Sequence, residues 1–275
     1  MPPTLRVGAV SYLNAKPLYY RLSEWATGVD LSMDLPSRLA SRLAGGELDL
    51  ALIPSVEYLR GASTGYEILP GFAIAARGAV RSVKLFSRVP FEKIDRLALD
   101  EGSRTSQALT QVWLEARYGV RPSEIEPLPM GVSALESMAD AVLVIGDRAM
   151  KVPDEPFHSV VDLAQAWNDL TGLPFVFALW VARPGVDLGE LPDVLARCRA
   201  EGLANAGELA GRYGPRLGID FDVCLDYLTR VLSYELGEPE LAGLRLFARM
   251  AASLGLAPEG VDLVFHRRRD LATRR

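Results

Sequence analysis

Apolar residues in the first ninety positions fall into short runs separated by polar turns, and the period of the runs changes along the chain. Leu5–Val10 is apolar enough for a buried strand, and the run breaks at Ser11. Asn14 then stands where a helix N-cap belongs, Pro17 falls in the first turn, and a helix is predicted over Ala15–Trp25. Val29, Leu31, Met33 and Leu35 alternate at period two, the pattern of a half-buried strand. Ser37 stands as the cap of a short helix whose Leu39 and Leu43 lie four apart. Gly45-Gly46 ends that helix in the left-handed conformation glycine tolerates. Leu48–Ile53 is a third strand, broken by Pro54, Ser55 and Glu57. Ile68–Ala76 and Ser82–Ser87 read as extended segments around Arg77-Gly78.

A second unit with a similar order of elements begins near Pro90. Leu97–Leu99 is a strand ending at Asp100, and Gly102-Ser103-Arg104-Thr105-Ser106 opens a helix over Gln107–Tyr118. Ile125–Leu128 is a strand, followed by a short helix around Ser133–Met138. Ala141–Ile145 is a strand ending in Gly146-Asp147, Val161–Thr171 a helix, and Phe175–Val181 a last apolar strand. From there the pattern is helical in three pieces, Leu188–Tyr213, Phe221–Leu236 and Pro239–Leu254.

Two β-α-β-α-β units and a helical tail predict an α/β protein with two lobes facing a cleft. The crossings fall near Ala79–Arg88 and Phe175–Arg183. Lobe 1 would comprise residues 1–85 together with 183–275, and lobe 2 residues 86–182. The alternative is one continuous doubly wound sheet; short strands in two separate blocks suit two modest sheets better than one very wide one.

Bulk properties narrow the function classes. A chain of 275 residues, 49% apolar and 24% charged, is ordinary for a globular protein. Net charge of −5 gives a nucleic-acid partner no global support. The exception is Arg267–Arg275, with five arginines in nine residues, read as a solvated terminus ahead of a binding patch. No signal peptide is expected, because the apolar run after Met1–Arg6 breaks too early. Membrane insertion is not expected either, since no stretch approaches the ~18 apolar residues of a spanning helix. Cys198 and Cys224 are read as isolated buried thiols. With only His158 and His266, neither a His-ligated metal nor a Ser–His–Asp triad is supported. Neither GxxxxGK[ST] nor a GxGxxG after the first strand is present, so no nucleotide cofactor is expected.

Ligands of open α/β sheets bind beyond the carboxyl ends of strands, which selects the polar turns. Asn14 either satisfies backbone N–H groups as a cap or holds a ligand carboxylate there, and Ser11 beside it has the same two roles open. Ser103, Thr105 and Ser106 place three hydroxyls at a helix mouth, an anion-binding surface or an incomplete capping box. Ser55 sits at the tip of the third strand. Glu57 is either a base or a first-turn carboxylate favoured by the helix dipole. Gly146 and Asp147 end a strand and face the cleft by topology, although Asp147 could equally pair with Arg148 or cap a helix. Trp167, Phe175, Phe177 and Trp180 read as core.

Six blocks occur in an order that resembles a known family: GAVSYLNAKPL, GELDLALIPSVEYLR, VRSVKLFS, EGSRTSQAL, VLVIGDRAM and DLAQAWNDLTGLPFVFALW. Together, from about Val7 to Ala182, they resemble the chorismate dehydratases of the futalosine route to menaquinone. The resemblance implies a type II periplasmic-binding-protein-like fold with a C-terminal helical segment, used by a cytoplasmic enzyme. It implies conversion of chorismate to 3-[(1-carboxyvinyl)oxy]benzoate and water without metal or cofactor, with the substrate's enolpyruvyl carboxylate as base. It places Asn14 in the active site. For substrate binding we expect Ser11 and Ser55 to serve the first lobe, together with Ser82, Ser103, Thr105, Ser106, Gly146 and Asp147. A sister family, the 1,4-dihydroxy-6-naphthoate synthases, shares that fold but typically ends its first strand in a Ser-Pro-Cys-Pro-Asn-Asp-like turn; this chain has Ser-Tyr-Leu-Asn-Ala-Lys-Pro. A non-catalytic carboxylate-binding protein is the rival from another class.

Overall fold

The computed structural model describes residues 4–267; from residue 268 on, the arginine-rich end lies outside the described residues. The described residues form two sheets. The first begins with β1 (Leu5–Val10), β2 (Val29–Asp34), β3 (Leu50–Pro54), β4 (Glu67–Ile68) and β5 (Ile74–Ala76). The second is β6 (Val83–Ser87), β7 (Arg96–Asp100), β8 (Glu124–Leu128), β9 (Ala141–Ile145) and β10 (Ser159–Asp162). The chain then returns to the first sheet through β11 (Phe175–Ala182) and β12 (Leu232–Ser233).

Strand order is β12-β5-β11-β3-β1-β2 in the first sheet, with β4 beside β11, and β10-β6-β9-β7-β8 in the second. β1 runs parallel to β2 and β3, and β7 parallel to β8 and β9. β11 is antiparallel to β3, and β6 to β9. Strands β3 and β11 are buried at every position. An unbroken apolar run is what a strand covered on both faces requires. The edge strand β2 is only partly covered and does not keep the expected alternation, since Met33 is exposed.

The helices are α1 (Leu22–Trp25), α2 (Pro36–Ala44), α3 (Ser55–Arg60), α4 (Arg104–Tyr118), α5 (Leu163–Thr171), α6 (Leu191–Ala204), α7 (Ala206–Leu217), α8 (Phe221–Asp226) and α9 (Glu238–Ser253). Several differ from expectation for local reasons. The helix expected over Ala15–Trp25 is a 3₁₀ helix, Leu13–Tyr19, followed by α1. Pro17 lacks the N–H a regular helix would use, and Arg21 takes a left-handed φ of 51° between the two pieces. Asn14 therefore lies inside the 3₁₀ helix, whose N-cap is Tyr12. Ser37 does not cap α2; Leu35 does, with Pro36 opening the first turn. Residues 133–138 form turns rather than a helix. The first two residues of the expected helix Val161–Thr171, Val161 and Asp162, instead end β10, because Asp162 caps α5 by accepting from the Ala164 and Gln165 N–H groups. The first helical piece of the tail divides at Asn205, and the second contains α8, a π-helical turn (Tyr227–Val231) and β12.

The lobe boundary also moves. β11, expected in the second lobe, pairs with β3 from Ala178 opposite Pro54 to Ala182 opposite Leu50. β6 pairs along its whole length with β9, so residues 83–85 belong to the second sheet. The crossings are thus near residues 77–82 and 172–174. An apolar strand fits the centre of either sheet, and its pairing is set by partners distant in the chain.

Candidate active site

A cleft lies between the sheets, where β1, β3, β7 and β9 end. Its polar lining is Tyr12, Asn14, Ser82, Ser103 and Ser106, together with the Gly146 backbone. Pro36, Pro54, Ile74, Phe177 and Leu232 are among its apolar walls. The lining contains no Asp, Glu, His, Lys or Arg. Its one titratable side chain is Tyr12, whose phenol is pushed well above its ordinary value, first by burial and then by the negative charge of Asp100.

The position of Tyr12 depends on two glycines of the second lobe. A Cβ on Gly102 would stand 2.7 Å from the Tyr12 hydroxyl, and one on Gly146 would stand 3.2 Å from its ring. Gly146 also has φ +72°, a conformation side chains rarely adopt. Buried Asp100 fixes both glycine turns: it accepts from the Gly102 and Ile145 N–H groups, each at 2.9 Å, and pairs with Arg148 at 2.5 Å.

Ser103 caps α4. Its Oγ accepts from the Ser106 N–H at 3.4 Å and the Ser106 hydroxyl at 3.2 Å, so both oxygens are held at the helix mouth. The N–H groups of the first turn have no partner within the helix, and with the helix dipole they favour an anion there. Ser82 lies on the crossing. Just before it, the Val80 and Arg81 N–H groups are held by Asp162 at 3.0 and 2.5 Å, with Arg81 at φ 64°. The Ser82 carbonyl accepts from Gly146 N–H at 2.8 Å. Asn14 Oδ1 is buried and has no hydrogen-bond partner.

The other expected residues are placed elsewhere. Ser11 is exposed, outside the cleft lining. Ser55 is fully buried and donates to the Val176 carbonyl at 2.7 Å. Thr105, also fully buried, accepts from the Val56 N–H at 3.1 Å. Asp147 accepts from the Leu13 N–H, its oxygens at 3.3 and 3.4 Å, and burial raises its pKa. Thr105 and Asp147 therefore join the two lobes behind the cleft. Glu57 belongs to an ion-pair cluster, 2.7 Å from both Arg60 and Arg104. Their polar atoms are engaged within the protein, a condition local spacing cannot show. Trp167, Phe175 and Trp180 are core, whereas Phe177 lines the cleft.

Sequence reasoning missed Tyr12 and Tyr227. Tyr227 is fully buried behind the cleft and donates to Ser82 Oγ at 2.7 Å. Lys16, also buried, donates to the Tyr19 hydroxyl at 2.8 Å; burial lowers its pKa, and Asp147 acts against that. Cys198 and Cys224 are free and buried, and burial pushes the Cys198 thiol to about 12. Among the described residues no group of three His, Cys, Asp or Glu side chains is arranged to hold a metal ion. Among them, too, no helix is long and apolar enough to cross a membrane.

Comparison with known proteins agrees with this architecture. A family model described as menaquinone biosynthesis matches residues 5–253. A chorismate dehydratase of Thermus thermophilus is 35% identical over 270 residues, covering 92% of this chain and 96% of that protein. One of Campylobacter jejuni is 25% identical over 256 residues, covering 91% and 99%. Among solved structures, a protein of Archaeoglobus fulgidus superposes with a TM-score of 0.71 at 19% identity, over 92% of this chain and 98% of that one. The periplasmic aliphatic sulphonate binding protein of Escherichia coli gives 0.65 at 14% identity, over 96% and 91%. At those identities the likeness shows the fold alone, a periplasmic-binding-protein-like one.

Proposed function

The chain belongs to the menaquinone-biosynthesis family, and on that premise we propose that it is a chorismate dehydratase, a carbon–oxygen lyase forming 3-[(1-carboxyvinyl)oxy]benzoate and water. The observation that carries the reading is a cleft rich in hydroxyl and amide groups whose lining supplies no carboxylate, imidazole or amine to act as base. Such a cleft suits a substrate that brings its own base.

Chorismate has two carboxylates and one ring hydroxyl. Its C3 proton is acidic because charge left at C3 delocalises through C1=C2 onto the ring carboxylate. The enolpyruvyl carboxylate takes that proton, the C3–H electron pair forms the new ring double bond, and the C4–O bond breaks. Hydroxide and the transferred proton leave as water, and the ring becomes aromatic. We assign to Ser103, Ser106 and the α4 N-terminus the holding of one carboxylate. Ser82 donates to substrate from the crossing. The unpartnered Oδ1 supports a role for Asn14 in accepting a hydrogen bond from the C4 hydroxyl and so orienting the leaving oxygen. The apolar walls exclude water, which protects the enol ether and strengthens each hydrogen bond.

A second reading, a binding protein without turnover, is favoured by the solute-binding neighbour of similar fold. Pure protein treated with chelator and incubated with chorismate decides between them. Chromatography should show catalytic release of the benzoate product. Stoichiometric binding without product would overturn the enzyme reading.

A further inference from the structure

We propose that Tyr227 is a positioning residue for this reaction, holding the Ser82 hydroxyl so that its proton points into the cleft. The inference rests on the dehydratase reading and deepens it. Tyr227 opens the π-helical turn after α8, and such turns are rare and frequently occur at functional sites. It is fully buried, and its hydroxyl donates to Ser82 Oγ at 2.7 Å. Ser82 Oγ thus has one lone pair filled from behind, and its own hydrogen is left for a substrate oxygen in front.

Adjacent contacts make the arrangement specific. Arg81, the residue before Ser82, pairs at 2.8 Å with Asp226, the residue before Tyr227. Two neighbours on the crossing are therefore clamped to two neighbours on the tail, and the crossing cannot slide without breaking both contacts. Burial raises the Tyr227 pKa well above its ordinary value, so it remains a donor at neutral pH.

The test is a double-mutant cycle on chorismate turnover with Tyr227→Phe and Ser82→Ala. The ring and its packing stay in Tyr227→Phe, and a melt checks that the variant folds. Tyr227→Phe should lower kcat/KM by about 10–100-fold, carried by kcat rather than KM. Adding it to Ser82→Ala should lower the rate less than threefold further, since its effect runs through that hydroxyl. Tyr234→Phe is the control, because the Tyr234 hydroxyl is buried without a partner and removing it should leave turnover unchanged. If Tyr227→Phe melts early, 3-fluorotyrosine incorporated at position 227 keeps the side chain's size and shifts its acidity. The rate should then change in the wild-type background and not in Ser82→Ala. A Tyr227→Phe enzyme at full speed, or losses that multiply in the double variant, would overturn the proposal. No turnover by the wild-type protein would instead overturn the dehydratase reading.

Discussion

Thr105 Oγ1, in the second lobe, accepts the Val56 N–H of the first lobe at 3.1 Å. A helix-mouth threonine that reads as a substrate ligand thus serves the start of α3 across the lobe boundary. Asp147 does the same for Leu13 N–H, and Arg104 reaches Glu57 at 2.7 Å. These contacts tie the two lobes together beside the cleft, and we expect some of them to part when substrate enters. Thr105→Val keeps the shape and removes the acceptor, leaving a buried N–H at a cost of about 1–3 kcal/mol. It should lower Tm by several degrees and enlarge the radius of gyration seen by small-angle scattering without ligand. Its KM should rise more than its kcat falls. An unchanged radius of gyration and KM would show that this contact does not hold the lobes.

Ser103 and Ser106 face the cleft directly and test carboxylate binding separately from lobe contact. A charge-assisted hydrogen bond contributes about 1.5–3 kcal/mol. Ser106→Ala should therefore lower kcat/KM by at least about tenfold with little change in Tm. Ser103→Ala should do the same and also cost about 1 kcal/mol in stability, because Ser103 is the α4 cap. Steady-state kinetics and melts on both variants separate the two effects; unchanged kinetics in both would remove the α4 mouth from the site.

Where these residues stand was legible to differing degrees, for physical reasons. β1, β3 and β9 are apolar runs that end at the cleft, so Asn14 and Gly146 could be found from the polar positions that follow them. Ser55 and Thr105 follow the same rule and fail it, because each is fully buried outside the cleft lining with its hydroxyl bonded to another element. Hydrogen-bond saturation depends on residues roughly fifty to a hundred and twenty positions away, and local spacing does not report it. Tyr227 was hidden differently. Phe221–Leu236 keeps an apolar helical period, while the structure changes there from α-helix to π-turn to strand. Periodicity cannot distinguish a π-turn from the helix around it.

The far end of the first lobe supplies a pH test independent of the site. Asp49 pairs with Arg6 at 2.7 Å and Arg183 at 2.8 Å, joining β1 to the end of β11. The Arg6 hydrogen bonds, above all, hold its carboxyl well below the usual range. A lowered folded-state pKa contributes stability above the unfolded value of about 3.9, and that stability is lost as pH falls through the folded value. Asp49→Asn should lower Tm at pH 7 by about 3–6 °C, on the order of 1–2 kcal/mol. The difference from wild type should shrink as pH drops below about 4, and kcat of the folded variant should be unchanged. A gap that widens on acidification would contradict the assignment.

Asn14 is the strictest test of the mechanism. It does not cap a helix, since Tyr12 occupies that position and Asn14 Oδ1 has no protein partner. Asn14→Ala therefore should not lose the stability a cap would contribute, and its Tm should stay within about 3 °C of wild type. Removing a preorganised polar group from an active site costs about 10²–10³ in rate. Asn14→Ala should lose that factor in kcat, with KM within about tenfold of wild type. Asn14→Asp separates geometry from charge. Its carboxylate can still accept from the C4 hydroxyl, but it faces a substrate with two carboxylates in a cleft whose lining contains no cation. It should bind chorismate more weakly than Asn14→Ala does and recover little of the lost rate. Raising ionic strength should narrow that difference only slightly, since buried charges are poorly screened. An Asn14→Asp enzyme with wild-type kcat and KM would show that neither the neutrality nor the amide of this residue matters, and would remove Asn14 from the mechanism.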